Sequence, residues 1–444
     1  MSICTTSLLV LAIFSGVLAS SISTVVAQSN PLPVIYVSPA GSDSSGNGTF
    51  TNPYASISHA VSAAPVSGAV VIVRAGVYDE MINITKVITL ESESSQPSNT
   101  IINAVGKTYG IYVSGSSASG TVLQGLTVEN ADNHGIFVQD ASQVSIVNNE
   151  VLHNGLNPTN CPEPPTPPSG PCISENKAIE LVGSSNSVVA NNLVEINQAD
   201  GGIGISDDGQ INPGGLTSGA SNPAVGNVIS GNTITSNVGG CGVVVAAYDP
   251  GEGVSNNIVT GNHVVNGYAG IVVAADIPNT SAVNNTVVAN TVLDNQLPGI
   301  IIHSNTPGDV VSGTVIIRNV VSGNAGFGPQ PTGIILIGAV NPVLDTSISG
   351  NVIHNEYFGI EVTNATGTRI FENLIDSTVS IPVSGASATT SPMTVTTTSM
   401  TTVQQTGNAD TAMFASIGGV VLAVIALAVA LTALRRPKPA AKEN

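Results

Sequence analysis

Four residues that could carry chemistry occupy one place in a repeated pattern. Each stands six positions after a glycine that opens an Ile/Val run, and the four are Asp208, Tyr248, Asp276 and Asn305. Two further acids, Asp207 and Asp249, are immediate neighbours of this line. If equivalent positions stack at the spacing of parallel strands, the six residues form an acidic ridge about 15–20 Å long.

Side chains of this kind support several kinds of site. Neighbouring carboxylates can act as acid and base on a glycosidic bond, or Asp207 and Asp208 can hold Ca²⁺ through hard oxygen ligands. The ring of Tyr248 offers a platform on which a sugar can stack. The same residue types also favour turns, because Asp and Asn side chains bond to their own backbone. The pattern therefore predicts either a carbohydrate-binding ridge or a row of turns.

The elements that must position this line are repeats. From 227 to 363 the chain reads GNTITSN, GNHVVNG, ANTVLDN, RNVVSGN and GNVIHNE, each followed by Gly and an Ile/Val run. The period of roughly 28–32 residues is typical of a solenoid. β-Branched residues favour stacked strands around an apolar interior. Each recurring Asn is expected to turn inward and bond to the Asn above and below it.

The most specific motifs lie near the N-terminus. In order they are YVSP at 36–39, GSD at 41–43, GT at 48–49, NPY at 52–54, AV at 60–61, GVY at 76–78 and ITL at 88–90. This series resembles the opening of the pectin-lyase-like superfamily, which includes polysaccharide lyases, epimerases and NosD-type carbohydrate-binding proteins. The resemblance spans 33–380 and implies an all-β fold, a right-handed parallel β-helix. We predict about ten rungs, with an N-terminal cap helix at 54–64.

The resemblance also implies catalytic motifs that this chain lacks in part. Lyases of this fold use Lys or Arg as base, but 28–411 contains six such residues scattered over distant rungs: Arg74, Lys86, Lys107, Lys177, Arg318 and Arg369. Of the hydrolase motifs, Asp207-Asp208 resembles one piece, and the epimerase motif Asp-Pro-His stops at Gly251. The histidines fall in different rungs without ligand spacing. We therefore assign no catalytic residue, no cofactor and no metal, apart from the calcium alternative.

Composition narrows the range of partners. The formal net charge is −18 with ten Lys and Arg, which works against nucleic acid, since its binding depends on cationic neutralisation of phosphates. A weakly charged, acidic surface fits an extracellular or envelope polysaccharide better.

The sequences at the two ends of the chain predict its membrane topology. Residues 1–27 are typical of a signal peptide, although the absence of Lys or Arg before the apolar run leaves an uncleaved anchor open. Residues 413–434 form an uncharged apolar run long enough to span a bilayer, and the basic tail 435–444 places the C-terminus in the cytoplasm. Residues 381–411 are rich in Ser and Thr and indicate a stalk. We predict a single-pass protein of the cell membrane with its ectodomain outside.

One long excursion interrupts the repeats at 154–177. It places Cys161 and Cys172 on either side of a proline-rich stretch, which predicts a disulfide-closed loop in a secreted domain. Sequons for N-glycosylation occur at Asn47, Asn83, Asn279, Asn284 and Asn364.

Three functions fit these observations. The leading prediction is a membrane-anchored surface protein that binds or displays carbohydrate. The second is a glycoside hydrolase or lyase that uses the acidic ridge, and the third is a structural spacer or adhesin of the envelope.

Overall fold

The computed structural model describes residues 32–66, 68–156, 177–198, 202–207, 222–237, 239–385 and 389–390. Within them the chain coils repeatedly through three long parallel sheets, and through a fourth, shorter sheet from residue 224 onward. Parallel pairing of each strand with the equivalent strand one coil later follows from the repeat, because identical apolar patterns then lie in register.

Sheet 1 contains thirteen of the described strands. In stacking order they are β1 (Val34–Val37), β2 (Ala69–Val73), β5 (Ile88–Ser92), β8 (Val122–Gln124), β11 (Ser145–Val147), β14 (Val188–Ala190), β18 (Val228–Ser230), β22 (Ile258–Thr260), β26 (Thr286–Val288), β30 (Val315–Ile317), β34 (Ser347–Ser349), β38 (Arg369–Phe371) and β41 (Thr389–Thr390).

Sheet 2 follows sheet 1 in each coil. Its eleven described strands are β3 (Gly76–Tyr78), β6 (Thr100–Asn103), β9 (Thr127–Glu129), β12 (Glu150–Leu152), β15 (Leu193–Glu195), β19 (Thr233–Thr235), β23 (His263–Val265), β27 (Thr291–Leu293), β31 (Val320–Ser322), β35 (Val352–His354) and β39 (Leu374–Ile375).

Sheet 3 completes the coil. Its eleven described strands are β4 (Ile82–Ile84), β7 (Tyr109–Ser114), β10 (His134–Gln139), β13 (Ile179–Val182), β16 (Ile203–Ser206), β20 (Val243–Ala247), β24 (Ile271–Ala275), β28 (Ile300–Ser304), β32 (Thr332–Gly338), β36 (Phe358–Thr363) and β40 (Ile381–Ser384). Short strands of sheet 4 lie between sheets 3 and 1: β17 (Ala224–Val225), β21 (Val254–Ser255), β25 (Ser281–Val283), β29 (Val310–Ser312), β33 (Val343–Leu344) and β37 (Ala365–Thr366). The eleven described strands of sheet 3 agree with the prediction of about ten rungs.

The interior is a set of aliphatic columns. One column of sheet 3 runs through paired residues of successive strands, all of them fully buried: Ile136, Ile179, Ile203, Val243, Ile271 and Ile300. The next residue of each strand points outward, so the face of sheet 3 is set by alternation.

Stacked asparagines form the polar part of the interior, as predicted. The Nδ2 of Asn232 donates to the Oδ1 of Asn262 at 2.9 Å, and the Nδ2 of Asn262 donates to the Oδ1 of Asn290 at 3.0 Å. Backbone N–H groups donate to the same oxygens. We call this row the first asparagine ladder; it comprises Asn149, Asn192, Asn232, Asn262, Asn290, Asn319, Asn351 and Asn373.

The helix expected at 54–64 is shorter than predicted. Helix α1 spans Ile57–Ala63, with Ser56 as its N-cap, and buries Ile57, Ala60 and Val61. Its role as a cap stays a prediction. Two short 3₁₀ turns span Pro97–Asn99 and Ser116–Ala118.

The predicted stalk boundary at 381 is wrong. β40 pairs with β36 and β41 pairs with β38, so the parallel sheets continue at least to Thr390. The stalk was predicted from the Ser and Thr content of 381–411, but this segment begins with the apolar run Ile381-Pro-Val383, which forms β40. No helix within the described residues is long and apolar enough to cross a membrane. The predicted signal peptide, disulfide loop with Cys161 and Cys172, and membrane span at 413–434 lie outside the described residues.

Candidate functional site

Sheet 3 ends in a group of polar side chains on adjacent coils. The Nδ2 of Asn305 donates to Oδ1 of Asp276 at 2.7 Å, and Nδ1 of His303 lies 3.2 Å from the same oxygen. Asp276 and His303 are partly exposed, and Asn305 is exposed. Because Ala275 pairs with Ser304, Asp276 and Asn305 occupy equivalent positions, as the alignment of the repeats within this chain predicted. We call Asp276, His303 and Asn305 the polar edge.

The remaining predicted site residues do not belong to the polar edge. The carboxylate of Asp207 is buried and accepts the backbone N–H groups of Tyr248, at 2.7 Å, and of Asp249, at 3.3 Å. Asp207 therefore holds the turn on the next coil, which is the turn interpretation of the pattern. Tyr248 is 7% exposed and packs among apolar side chains, so its ring offers no stacking platform. Asp249 is partly exposed, and Asp208 lies outside the described residues.

Calcium binding at Asp207 and Asp208 stays a prediction, because Asp208 lies outside the described residues. Among the described residues no three His, Cys, Asp or Glu side chains lie together in a way that could hold a metal ion. Asp276 has an imidazole and an amide beside it, and Asp207 is committed to backbone donors. Sugar hydroxyls are better partners for the polar edge, because carboxylate and amide groups supply both acceptors and donors.

Aromatic rings border sheet 3 on the opposite side, where the chain enters each strand. Tyr268 precedes β24 and is 41% exposed, Phe327 precedes β32 and is 58% exposed, and Tyr357 precedes β36 and is 36% exposed. We call these three residues the aromatic edge. Of the four exposed Phe and Tyr residues in the described part of the chain, these three precede strands of sheet 3, and the fourth, Phe50, does not.

An aliphatic strip joins the two edges. The outward residues Val244, Val272, Ile301 and Ile335 pair across β20, β24, β28 and β32 and are 3–6% exposed. This strip is buried, so the exposed partners for the apolar C–H faces and the hydroxyl groups of a sugar ring are the aromatic edge and the polar edge.

The aromatic edge was missed in the sequence, although a signal existed. Tyr268 and Tyr357 each stand two positions before the glycine that opens an Ile/Val run. Aligning residues before that glycine, as well as after it, would have found them. Phe327 lies in a longer insertion and breaks the spacing.

A second group of polar residues lies nearer the N-terminal end of sheet 3, at β10 and β13, and is buried. Nδ1 of His134 lies 3.0 Å from the carbonyl oxygen of Lys177 and 3.3 Å from Oε2 of Glu180. All three residues are 0–2% exposed. No sequence pattern predicted the contact between His134 and Lys177, which are 43 positions apart. We call His134, Lys177 and Glu180 the buried polar cluster.

Aromatic rings and charge define the environment of the buried polar cluster. The rings of His134 and Phe137 stack at 4.6 Å, and Tyr109 stacks on both. Burial, assisted by the positive charge of Lys177, lowers the pKa of His134 to about 3, so its imidazole is neutral. Burial also raises the pKa of Tyr109. Burying ionisable groups this deeply costs a fold stability unless they are paired.

Two family models match the chain. Residues 87–287 match the right-handed β-helix region, and residues 251–397 match the periplasmic copper-binding protein NosD. No curated protein matches the sequence significantly.

Solved structures share the fold. The A-module of the Azotobacter vinelandii mannuronan C-5 epimerase AlgE4 is 15% identical with a TM-score of 0.51, covering 73% of this chain and 92% of its own. The AlgE6 A-module from the same organism is 13% identical with a TM-score of 0.49, covering 76% and 94%. The pectate lyase Pel9A is 15% identical with a TM-score of 0.43, covering 82% and 78%. At 15% identity, the likeness to the AlgE4 A-module concerns the fold alone.

Proposed function

We propose that this chain, a right-handed parallel β-helix of the pectin-lyase-like superfamily, binds polysaccharide along the outward face of sheet 3. The observation that carries the proposal is the aromatic edge, which lines one side of the sheet opposite the polar edge. A glycan lying along the stack would meet equivalent positions at each coil, about 4.8 Å apart.

Each part of the face has a distinct task in this proposal. Tyr268, Phe327 and Tyr357 stack on the apolar faces of sugar rings, which requires exposed aromatic surface. Asp276 and Asn305 bond to hydroxyl groups, and their mutual hydrogen bond fixes their orientation before the ligand arrives. Rigid strands support both edges, so little ordering is needed on binding.

We further propose that the β-helix is displayed at the cell surface. The apolar run 413–434 would anchor the chain, and the basic residues after it would keep the C-terminus in the cytoplasm. The β-helix would then face the extracellular or envelope polysaccharide that it binds.

Removing the aromatic edge is expected to weaken binding. The double variant Tyr268→Ala/Tyr357→Ala should lose about tenfold or more in affinity for a glycan found by array screening, since an aromatic contact contributes about 0.5–1.5 kcal/mol beyond burial. Isothermal titration calorimetry on the full-length chain measures the change.

The matched control for this experiment is Phe371→Ala, a partly buried aromatic residue on sheet 1. Its affinity should equal that of the unmodified chain. Equal weakening in both variants, or none in the double variant, would contradict the placement of the site. Absence of binding to any glycan in the array would leave the spacer or adhesin function.

A further inference from the structure

We infer that the face of sheet 3 selects uncharged glycans and discriminates against polyuronates and other anionic chains. The inference rests on the proposed polysaccharide binding and specifies its ligand class. It follows from the distribution of charge over the described strands and the residues beside them.

Sheet 3 carries acidic groups along much of its length. Glu361 is partly exposed and lies on β36, at an outward position aligned with the aliphatic strip. Asp249 and Asp276 follow β20 and β24, and Asp140 follows β10. A ligand carboxylate lying along this face would approach several of these negative charges.

Compensating cations are missing from the same strands. None of the described strands of sheet 3 contains Lys or Arg. Lys177, two residues before β13, is fully buried beside Glu180, because the missing side chain of Gly204 leaves room for the lysine stem. Lys86, which is partly exposed, follows β4, and Lys107, which is exposed, precedes β7; both strands lie several coils from β24, where the aromatic edge begins.

The segments 157–176, 199–201 and 208–221 of the sequence also contain no Lys or Arg. Arg318 follows β30 and Arg369 lies on β38, so both belong to the region of sheet 1. Carboxylate recognition in proteins depends on charged donors such as Arg and Lys, and this face has none beside the aromatic edge among the described residues.

The test compares two ligands of matched length, an uncharged oligoglucan bound by the full-length chain and an oligomannuronate. At about 20 mM salt the affinity for the oligomannuronate should be at least about tenfold lower, and the gap should narrow at about 1 M salt, where charges are screened. The affinity for the uncharged ligand should change little with salt.

A charge-reversal pair shows whether sheet 3 is responsible. Glu361→Lys should raise the ratio of the affinity for the oligomannuronate to the affinity for the uncharged ligand at least about threefold at low salt. Glu195→Lys on sheet 2 makes the same change in net charge away from the face and should have no effect. An equal gain in both variants would mean that net charge alone sets the selectivity and would overturn the inference.

The two proposals fail in different ways. Equal or tighter binding of the oligomannuronate at low salt overturns the selectivity and leaves polysaccharide binding in place. No binding of any glycan overturns the proposed function itself.

Discussion

Asn262→Ala is expected to lower the stability of the central coils by about 3–5 kcal/mol, because each buried polar group left without a partner costs about 1–3 kcal/mol. The side chain of Asn262 sits in the middle of the first asparagine ladder and is 1% exposed. Its Oδ1 accepts from the backbone N–H and the Nδ2 of Asn232, at 3.0 and 2.9 Å. Its Nδ2 donates to Asn290 and to the carbonyl oxygen of Ile229.

The substitution leaves buried donors and a buried acceptor without these partners. The backbone N–H of Asn232 and the carbonyl oxygen of Ile229 each lose a hydrogen bond, and both residues are buried. Solenoid stability is approximately a sum over coils and their neighbours. The loss should therefore concentrate in the coils that contain β18, β22 and β26.

Hydrogen exchange measures this local loss directly. Amides of β18, β22 and β26 should exchange faster by about two to four orders of magnitude, while those of β5 and β8 should keep their protection. The control is Asn83→Ala, which removes an exposed Asn from β4 and should change protection little. Uniform loss of protection along the whole chain would contradict a local ladder, and loss below about 1 kcal/mol would contradict its energetic role.

The ladder shows what the sequence determines well. An Asn that recurs at every coil beside Ile and Val has one low-cost environment, the interior corner, where its neighbours are other asparagines. The repeat therefore predicts sheet order, register and inward columns together. The local pattern also predicted the alignment of Asp276 with Asn305, which the register of β24 and β28 reproduces.

The same reasoning failed where contact depends on residues outside the repeat. Tyr248 shares the aligned position of Asp276, yet its ring folds onto the aliphatic strip, because a large apolar side chain gains more from burial than from exposure. His134 and Glu180 meet because β10 and β13 are neighbours across an insertion at 154–177 whose length hides the register. The aromatic edge comes from residues that the alignment on strand ends did not consider.

Glu356 stands where a second asparagine ladder would have an Asn, and we expect this exchange to alter stability. A second ladder stands five residues after the first and includes Asn295 and Asn324. At the next coil the expected Asn is Glu356, whose Oε1 accepts from the backbone N–H and the Nδ2 of Asn324, both at 3.0 Å. Its Oε2 is buried, and the described residues provide it with no hydrogen-bond partner.

The carboxyl group of Glu356 is expected to make this end of the β-helix less stable as pH rises. Burial, with a smaller contribution from the charge of Asp294, raises the pKa of Glu356 from 4.5 to about 7, although the hydrogen bonds from Asn324 oppose the shift. The folded state therefore binds a proton that the unfolded chain releases between these values. Stability is greatest below about pH 4.5 and falls through pH 7, by roughly 3 kcal/mol in total at about 1.4 kcal/mol per pKa unit.

Glu356→Gln should remove this pH dependence, because glutamine keeps the acceptor for Asn324 and carries no charge. At pH 8 the variant should be more stable than the unmodified chain by about 2–3 kcal/mol, and at pH 4.5 the two should be nearly equal. The measurement is the difference in hydrogen-exchange protection of β31, β32 and β35 at the two pH values, each corrected for intrinsic exchange. Glu195→Gln, which neutralises a partly exposed carboxylate on sheet 2, should show no such difference. A variant whose protection tracks that of the unmodified chain at both pH values would mean that Glu356 is already ionised in the fold, with Oε2 satisfied by solvent that reaches the corner.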